Sequence, residues 1–241
     1  MLRVVGGLLL WIGLAGCTSP AVHHQPDSAE APYGSWRSPI TAEAVTRDVR
    51  VFWFPRVVDG DDFYWSEIRP EEKGRTVVVQ LTPDGRMQDR TPPPYSARSH
   101  VYEYGGGGFT VDRGTVFFSN GKDGRLYRAS LGGNPVGITM ESAGKLRYAD
   151  LSVDRRRSQL IAVREDHRGK GEPVHTIVAV DLRDGGEGKV LVSGNDFYSE
   201  PRLSPSGDRL AWRCWDHPNM PWDPRYQRRR VHDVNGFGNP W

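Results

Sequence analysis

The feature that most restricts the fold is an echo of the sequence on itself at a shift of fifty residues. Tyr148-Ala149-Asp150 aligns without gaps to Tyr198-Ser199-Glu200. At the same shift Val153 meets Leu203, Leu160-Ile161-Ala162 meets Leu210-Ala211-Trp212, and Asp166-His167 meets Asp216-His217. A shorter version precedes these, Phe109-Thr110-Val111-Asp112 followed by Val116-Phe117-Phe118-Ser119. Each copy reads strand, polar turn, apolar strand, polar turn, strand. One such unit cannot bury both faces of its sheet, so units must stack. A period of about 40 to 50 residues with about four strands is the pattern of a β-propeller blade. A β-sandwich would also give short strands and turns, but not a gapless echo.

The remaining chain has the same texture from about Ile40. Phe63-Tyr64-Trp65-Ser66 leads through Glu71-Glu72-Lys73-Gly74 to Thr76-Val77-Val78-Val79, with a turn at Thr82-Pro83-Asp84-Gly85. The Leu160–Val163 run looks buried, and Thr176–Leu182 leads on to Lys189–Val192. No segment sustains a helical period. The 28 glycines and 18 prolines mean many turns, which suits an all-β chain. Lys and Arg (32) nearly balance Asp and Glu (30), so total charge gives no reason to expect a nucleic-acid partner.

The first residues are of another kind. Arg3 is followed by an apolar run, Val4 to Leu14, and then Leu14-Ala15-Gly16-Cys17. This resembles a bacterial lipobox: residues 1–16 are read as a lipoprotein signal peptide and Cys17 as the lipidated residue. An ordinary secretory signal beside a coincidental Cys is the alternative. Thr18, in place of Asp, points to the periplasmic side of the outer membrane. Cys17 and Cys214 are the two cysteines, so lipidation of the first leaves no internal disulfide. Residues 17–39, rich in Ser, Pro, Ala and His, read as a tether. His23-His24 in it lacks the further ligands a metal needs.

Several motifs invite chemistry. Gly105–Gly108 has no Gly-Lys-Ser/Thr after it, so it reads as a flexible turn into a strand rather than a phosphate loop. Asp59-Gly60-Asp61-Asp62 lacks the closing Glu of a calcium loop and reads as a hairpin turn. Asp166-His167 repeats with the blade, which makes it a property of the repeat before a metal site. Ser99-His100 adjacency is not triad geometry. Glu103 is the one candidate for contact with a substrate, as a carboxylate facing the channel; a hydrogen-bonded turn residue is its plainer role. No metal site and no cofactor are expected.

Longer stretches resemble the bacterial peptidases of the prolyl oligopeptidase (S9) family, of the dipeptidyl aminopeptidase and acylaminoacyl peptidase type. They are Pro32–Thr41, Tyr64–Arg75, Val101-Tyr102-Glu103-Tyr104-Gly105-Gly106-Gly107, Arg147–Asp150, Arg164-Glu165-Asp166-His167, Asp196–Ser199, and Pro201–Pro205 through Trp215–Asp223. The resemblance spans Pro32 to Asp223. It implies a propeller that precedes an α/β-hydrolase domain and filters peptides by size. It also implies that an acidic residue such as Glu103 meets the substrate amine. No Gly-x-Ser-x-Gly occurs in the chain, and that elbow presents the nucleophile in such a domain. The expectation is therefore an all-β, incomplete propeller of about four to five blades over residues 40–223, inactive alone, with no catalytic residue assigned. A separate chain supplying the catalytic domain would restore activity. A freestanding, lipid-anchored binding propeller is the competing reading. Residues 224–241, basic and without alternation, read as a disordered or out-of-frame tail, or as a patch for anionic lipid. An incomplete ring exposes a sheet edge and face, which predicts poor solubility.

Overall fold

The structure is a computed structural model that describes residues 33–35, 40–42, 45, 49–222 and 228–233. Residues 1–16, read as a signal peptide, Cys17 and most of the stretch read as a tether lie outside the described residues. Residues 1–41 and 42–241 separate into two units. In the first, the described residues include a turn at Tyr33-Gly34.

The second unit is built from consecutive antiparallel meanders, three of four strands and one of three among the described residues. The first sheet runs β1 (Val51–Asp59), β2 (Asp62–Arg69), β3 (Arg75–Leu81) and β4 (Met87–Asp89). The second runs β5 (Phe109–Asp112), β6 (Thr115–Ser119), β7 (Leu126–Ala129) and β8 (Val136–Gly137). The third runs β9 (Leu146–Asp154), β10 (Gln159–Asp166), β11 (Val174–Asp181) and β12 (Gly185–Val192). The fourth has β13 (Phe197–Leu203), β14 (Arg209–Trp215) and β15 (Arg228–Asp233). Strand order follows chain order in every sheet, and the first strands β1, β5, β9 and β13 neighbour one another in succession. Sheets stacked around their first strands have the layout of propeller blades rather than the two layers of a sandwich.

Alternation along the strands explains the stacking. In β10, Leu160 and Ala162 pack toward the second sheet with Tyr148, Val178, Phe117 and Leu126. Ile161 and Val163 pack toward the fourth with Tyr198, Leu210, Trp212 and Cys214. A strand covered on both faces must be apolar at every position, which accounts for the unbroken Leu160–Val163 run. The Leu, Ile and Val side chains among them contribute about 1.5–3 kcal/mol each on burial. The seam between the first two sheets holds Tyr64 and Val78 against Phe109, Val116 and Phe118.

The fifty-residue echo is a structural one. Tyr148 and Tyr198 are both buried, as are Leu160 and Leu210. Asp150 (φ 55°) and Glu200 (φ 53°) both adopt the left-handed region, and the pairing register shifts beside each. The echo also changes character on one face. Ala149, Ile161 and Val163 point toward the fourth sheet, whereas their counterparts Ser199, Ala211 and Arg213 alternate with residues that point back toward the third.

Two sequence expectations change. Within the stretch read as a tail, residues 228–233 form β15, paired antiparallel to β14 from Cys214↔Arg228 to Arg209↔Asp233. The backbone groups of the β14 edge supply the partners, and ladder formation needs no apolar alternation. The glycine run is not loose either. A Cβ on Gly105 (φ +91°) would stand 2.8 Å from the Ser99 carbonyl oxygen, and one on Gly108 2.8 Å from that of Ala97. Glycine is required there by close backbone approach.

Candidate functional site

The connection from β4 to β5 builds the most structured polar site. Its Tyr102 (φ 57°) and Glu103 (φ 65°) are both held in the left-handed region, which costs free energy that surrounding contacts must offset. Tyr102 inserts between the third and fourth sheets. Its ring lies 4.7 Å from His175, 5.5 Å from Phe197 and 6.3 Å from Trp215, centroid to centroid. Its hydroxyl donates to the Tyr198 carbonyl at 2.8 Å and accepts from the Tyr198 N–H at 2.9 Å. Burial pushes the phenol well above its ordinary range.

Beneath this loop lies Glu165, a buried carboxylate with four donors. Oε1 accepts from the Tyr102 N–H at 3.0 Å and from His175 Nε2 at 3.0 Å. Oε2 accepts from His167 Nε2 at 2.8 Å and Arg147 at 3.3 Å. Burial works against its charge, but the hydrogen bonds from His175, His167 and the Tyr102 N–H prevail and hold it at about 2. An ionised acceptor requires both imidazoles to present Nε2–H. With its lone pairs occupied, Glu165 is a positioning group, not a base.

Glu103 sits above, with its side chain 78% exposed and bonded to Arg147 at 2.6 Å. That hydrogen bond and the guanidinium charge lower its pKa, so it stays anionic near neutral pH. Arg147 also donates to the His100 carbonyl at 3.0 Å. The blade repeat replaces this charged pair by an aromatic one: Arg147 and Glu165 face each other across β9 and β10. Fifty residues on, Phe197 and Trp215 stack at 5.5 Å in the matching register.

The run from Gly105 to Gly108 carries the chain to a cavity of about 460 Å³, lined by first-strand residues including Val57, Phe109, Asp112, Leu151 and Arg202. Asp150 lies on its wall and ties the third sheet to the fourth and to the loop that enters β5. Its Oδ1 accepts from Gly107 N–H at 2.7 Å and its Oδ2 from Glu200 N–H at 3.0 Å.

Of the motifs marked in the sequence, Glu103 is brought to this site. Asp166-His167 and Asp216-His217 do not play matched roles. Asp166 binds Arg168, while the Asp216 carboxylate accepts from Asn195 Nδ2 at 3.0 Å. Among the described residues, no cluster of His, Cys, Asp and Glu could hold a metal ion. Tyr102, Glu165 and His175 were missed as site residues. The signal available for Glu165 was its spacing from His167, since residues two apart share one strand face.

No protein-family model and no curated relative matches the chain. Solved structures do. A puromycin-hydrolysing peptidase of Mycobacterium tuberculosis is 38% identical with a TM-score of 0.74, over 85% of this chain and 33% of that one. A puromycin hydrolase is 32% identical with a TM-score of 0.75, over 85% and 33%. A putative TolB of Agrobacterium tumefaciens is 16% identical with a TM-score of 0.51, over 73% and 59%, a likeness of fold alone. The chain thus spans about a third of the length of the two peptidases. The stacked meanders, the quoted motifs and this agreement in sequence and fold together make the chain a β-propeller portion of the S9 (prolyl oligopeptidase) peptidase family.

Proposed function

We propose that this chain acts as the substrate-gating propeller of an S9-type peptidase and has no hydrolase activity alone. The observation that carries the reading is the match at 38% identity to about a third of a puromycin-hydrolysing peptidase. In this reading the four sheets are blades of an incomplete ring, and a catalytic domain comes from elsewhere, including a separate chain. The substrates are short peptides and aminoacyl conjugates of the puromycin kind. The anionic Glu103, set at the end of an anchored loop, receives their amino group.

The test is calorimetric titration of the chain with a short peptide bearing a free or an acetylated N-terminus. Preferential binding of the free amine, lost in Glu103→Gln, supports the reading. Equal binding of both peptides, or hydrolysis of an aminoacyl substrate by the purified chain, sinks it.

A freestanding binding propeller on a lipid anchor in the cell envelope is the second reading. The polar Ser199 and Arg213, beside the small Ala211, favour it, because terminal units of stacked-repeat proteins carry a polar outer face. In both readings Cys17 carries the lipid and the chain sits at the periplasmic side of the outer membrane. A sharp cooperative melt and monomeric elution favour the second reading, and aggregation favours the first.

A further inference from the structure

A second cavity, of about 330 Å³, lies between the β2–β3 turn, the 94–100 stretch and the β6–β7 turn. Lys73, Arg75, Arg98 and Lys122 line it, and Glu72 is the one carboxylate among its lining residues. Glu72 is already committed to Arg75 and Arg69. Arg75 in turn donates to the carbonyls of Thr91 (2.6 Å) and Tyr95 (3.2 Å). Lys73, Arg98 and Lys122 have no hydrogen-bonding or ion-pairing side-chain partner among the described residues. Three cations without a carboxylate partner therefore line one open depression, where together they raise the local potential felt by an anion.

Other groups at the site suit the same ligand. The Ser96 hydroxyl accepts from Thr76 N–H at 3.0 Å, so its own proton remains to be donated. His100 also lines the cavity, and a Cβ on Gly121 would stand 3.3 Å from both His100 Nε2 and Arg98 Cβ. Burial, then the charges of Arg98 and Arg147, lower the His100 pKa, so the positive field is felt by a neighbouring group.

We propose that this cavity binds a phosphate group, with Arg98 as a two-pronged donor and Lys73 and Lys122 as flanking charges. A planar guanidinium matches two oxygens of a tetrahedral oxyanion, and lysines serve as point charges beside it. The phosphate is either a free anion or the phosphomonoester headgroup of a lipid. This site is separate from Glu103 and does not depend on the peptidase reading.

The experiment is calorimetric titration of the whole chain with inorganic phosphate at low and high salt. Saturable one-to-one binding that weakens as screening increases is expected. Arg98→Gln should lower affinity at least tenfold, and Lys122→Gln, on an exposed turn, several-fold with an unchanged melting temperature. In parallel, the chain is sedimented with neutral vesicles and with vesicles containing phosphatidate. An excess on phosphatidate that Arg98→Gln abolishes identifies a lipid headgroup. Phosphate binding with no preference between vesicles identifies a free anion. The proposal falls if neither phosphate nor phosphatidate binds in preference, or if binding survives unchanged in both variants.

Discussion

The Tyr102 hydroxyl takes both backbone groups of Tyr198, donating to its carbonyl at 2.8 Å and accepting from its N–H at 2.9 Å. Strand β13 is the first of its sheet, so these groups point away from the ladder and need partners elsewhere. A single side chain from a distant loop supplies both. The loop that presents Glu103 is thereby stitched to the fourth sheet.

Replacing Tyr102 by Phe keeps the ring contacts and removes that partner. The Tyr198 carbonyl and N–H lose this shared partner, at a cost of about 1–3 kcal/mol. Thermal unfolding of Tyr102→Phe should show the loss, and the Tyr198 amide should exchange its hydrogen faster.

The tie at Asp150 separates two variants. Asp150→Ala removes both acceptors and places a Cβ-bearing residue without local hydrogen bonds at φ 55°. Asp150→Asn keeps one acceptor and tolerates the left-handed conformation. The Ala change should cost about 3 kcal/mol or more and the Asn change about half of that. Chemical denaturation of both variants measures the order, and equal costs would refute the bridging role.

Glu165 makes stability depend on acid. Its folded pKa of about 2 lies below the ordinary 4.5, so the stabilisation is full above pH 5 and is lost as pH falls through the folded value. By linkage it is on the order of 3 kcal/mol. Glu165→Gln should melt lower than wild type at pH 7, and the gap should close toward pH 2. Melting temperatures across that range provide the check.

Lipidation predicts a mass and a location. Cells fed labelled palmitate should yield labelled wild-type chain, and Cys17→Ala should be unlabelled and leave the membrane fraction. Equal labelling of both would remove the anchor from either functional reading.

The repeat was legible because it is a matter of local pattern. Tyr148 and Tyr198, and Leu160 and Leu210, could be matched by position alone, and all four prove buried. Asp150 and Glu200 were matched as letters, but their shared backbone conformation was not visible. Glu103 was legible as a candidate through its setting in the Tyr-Glu-Tyr-Gly run. Its partner Arg147 was not, because the two are 44 residues apart and meet through the path of a loop. The same holds for Tyr102 and Glu165, 63 apart. Strand β15 was missed because backbone pairing alone, not side-chain alternation, makes it a strand.

What the sequence determined by itself is the all-β character, the meander unit and the apolar seams, since period-two patterning and turn residues act over a few positions. What only the tertiary structure decided is which charges meet. Lys73, Arg98 and Lys122 share a cavity, and Glu165 gathers His167, His175, Arg147 and the Tyr102 N–H. Such groupings depend on how sheets stack and how a connecting loop threads between them. The energies that set them, desolvation and charge pairing, exist only once the chain has brought the groups within a few ångströms.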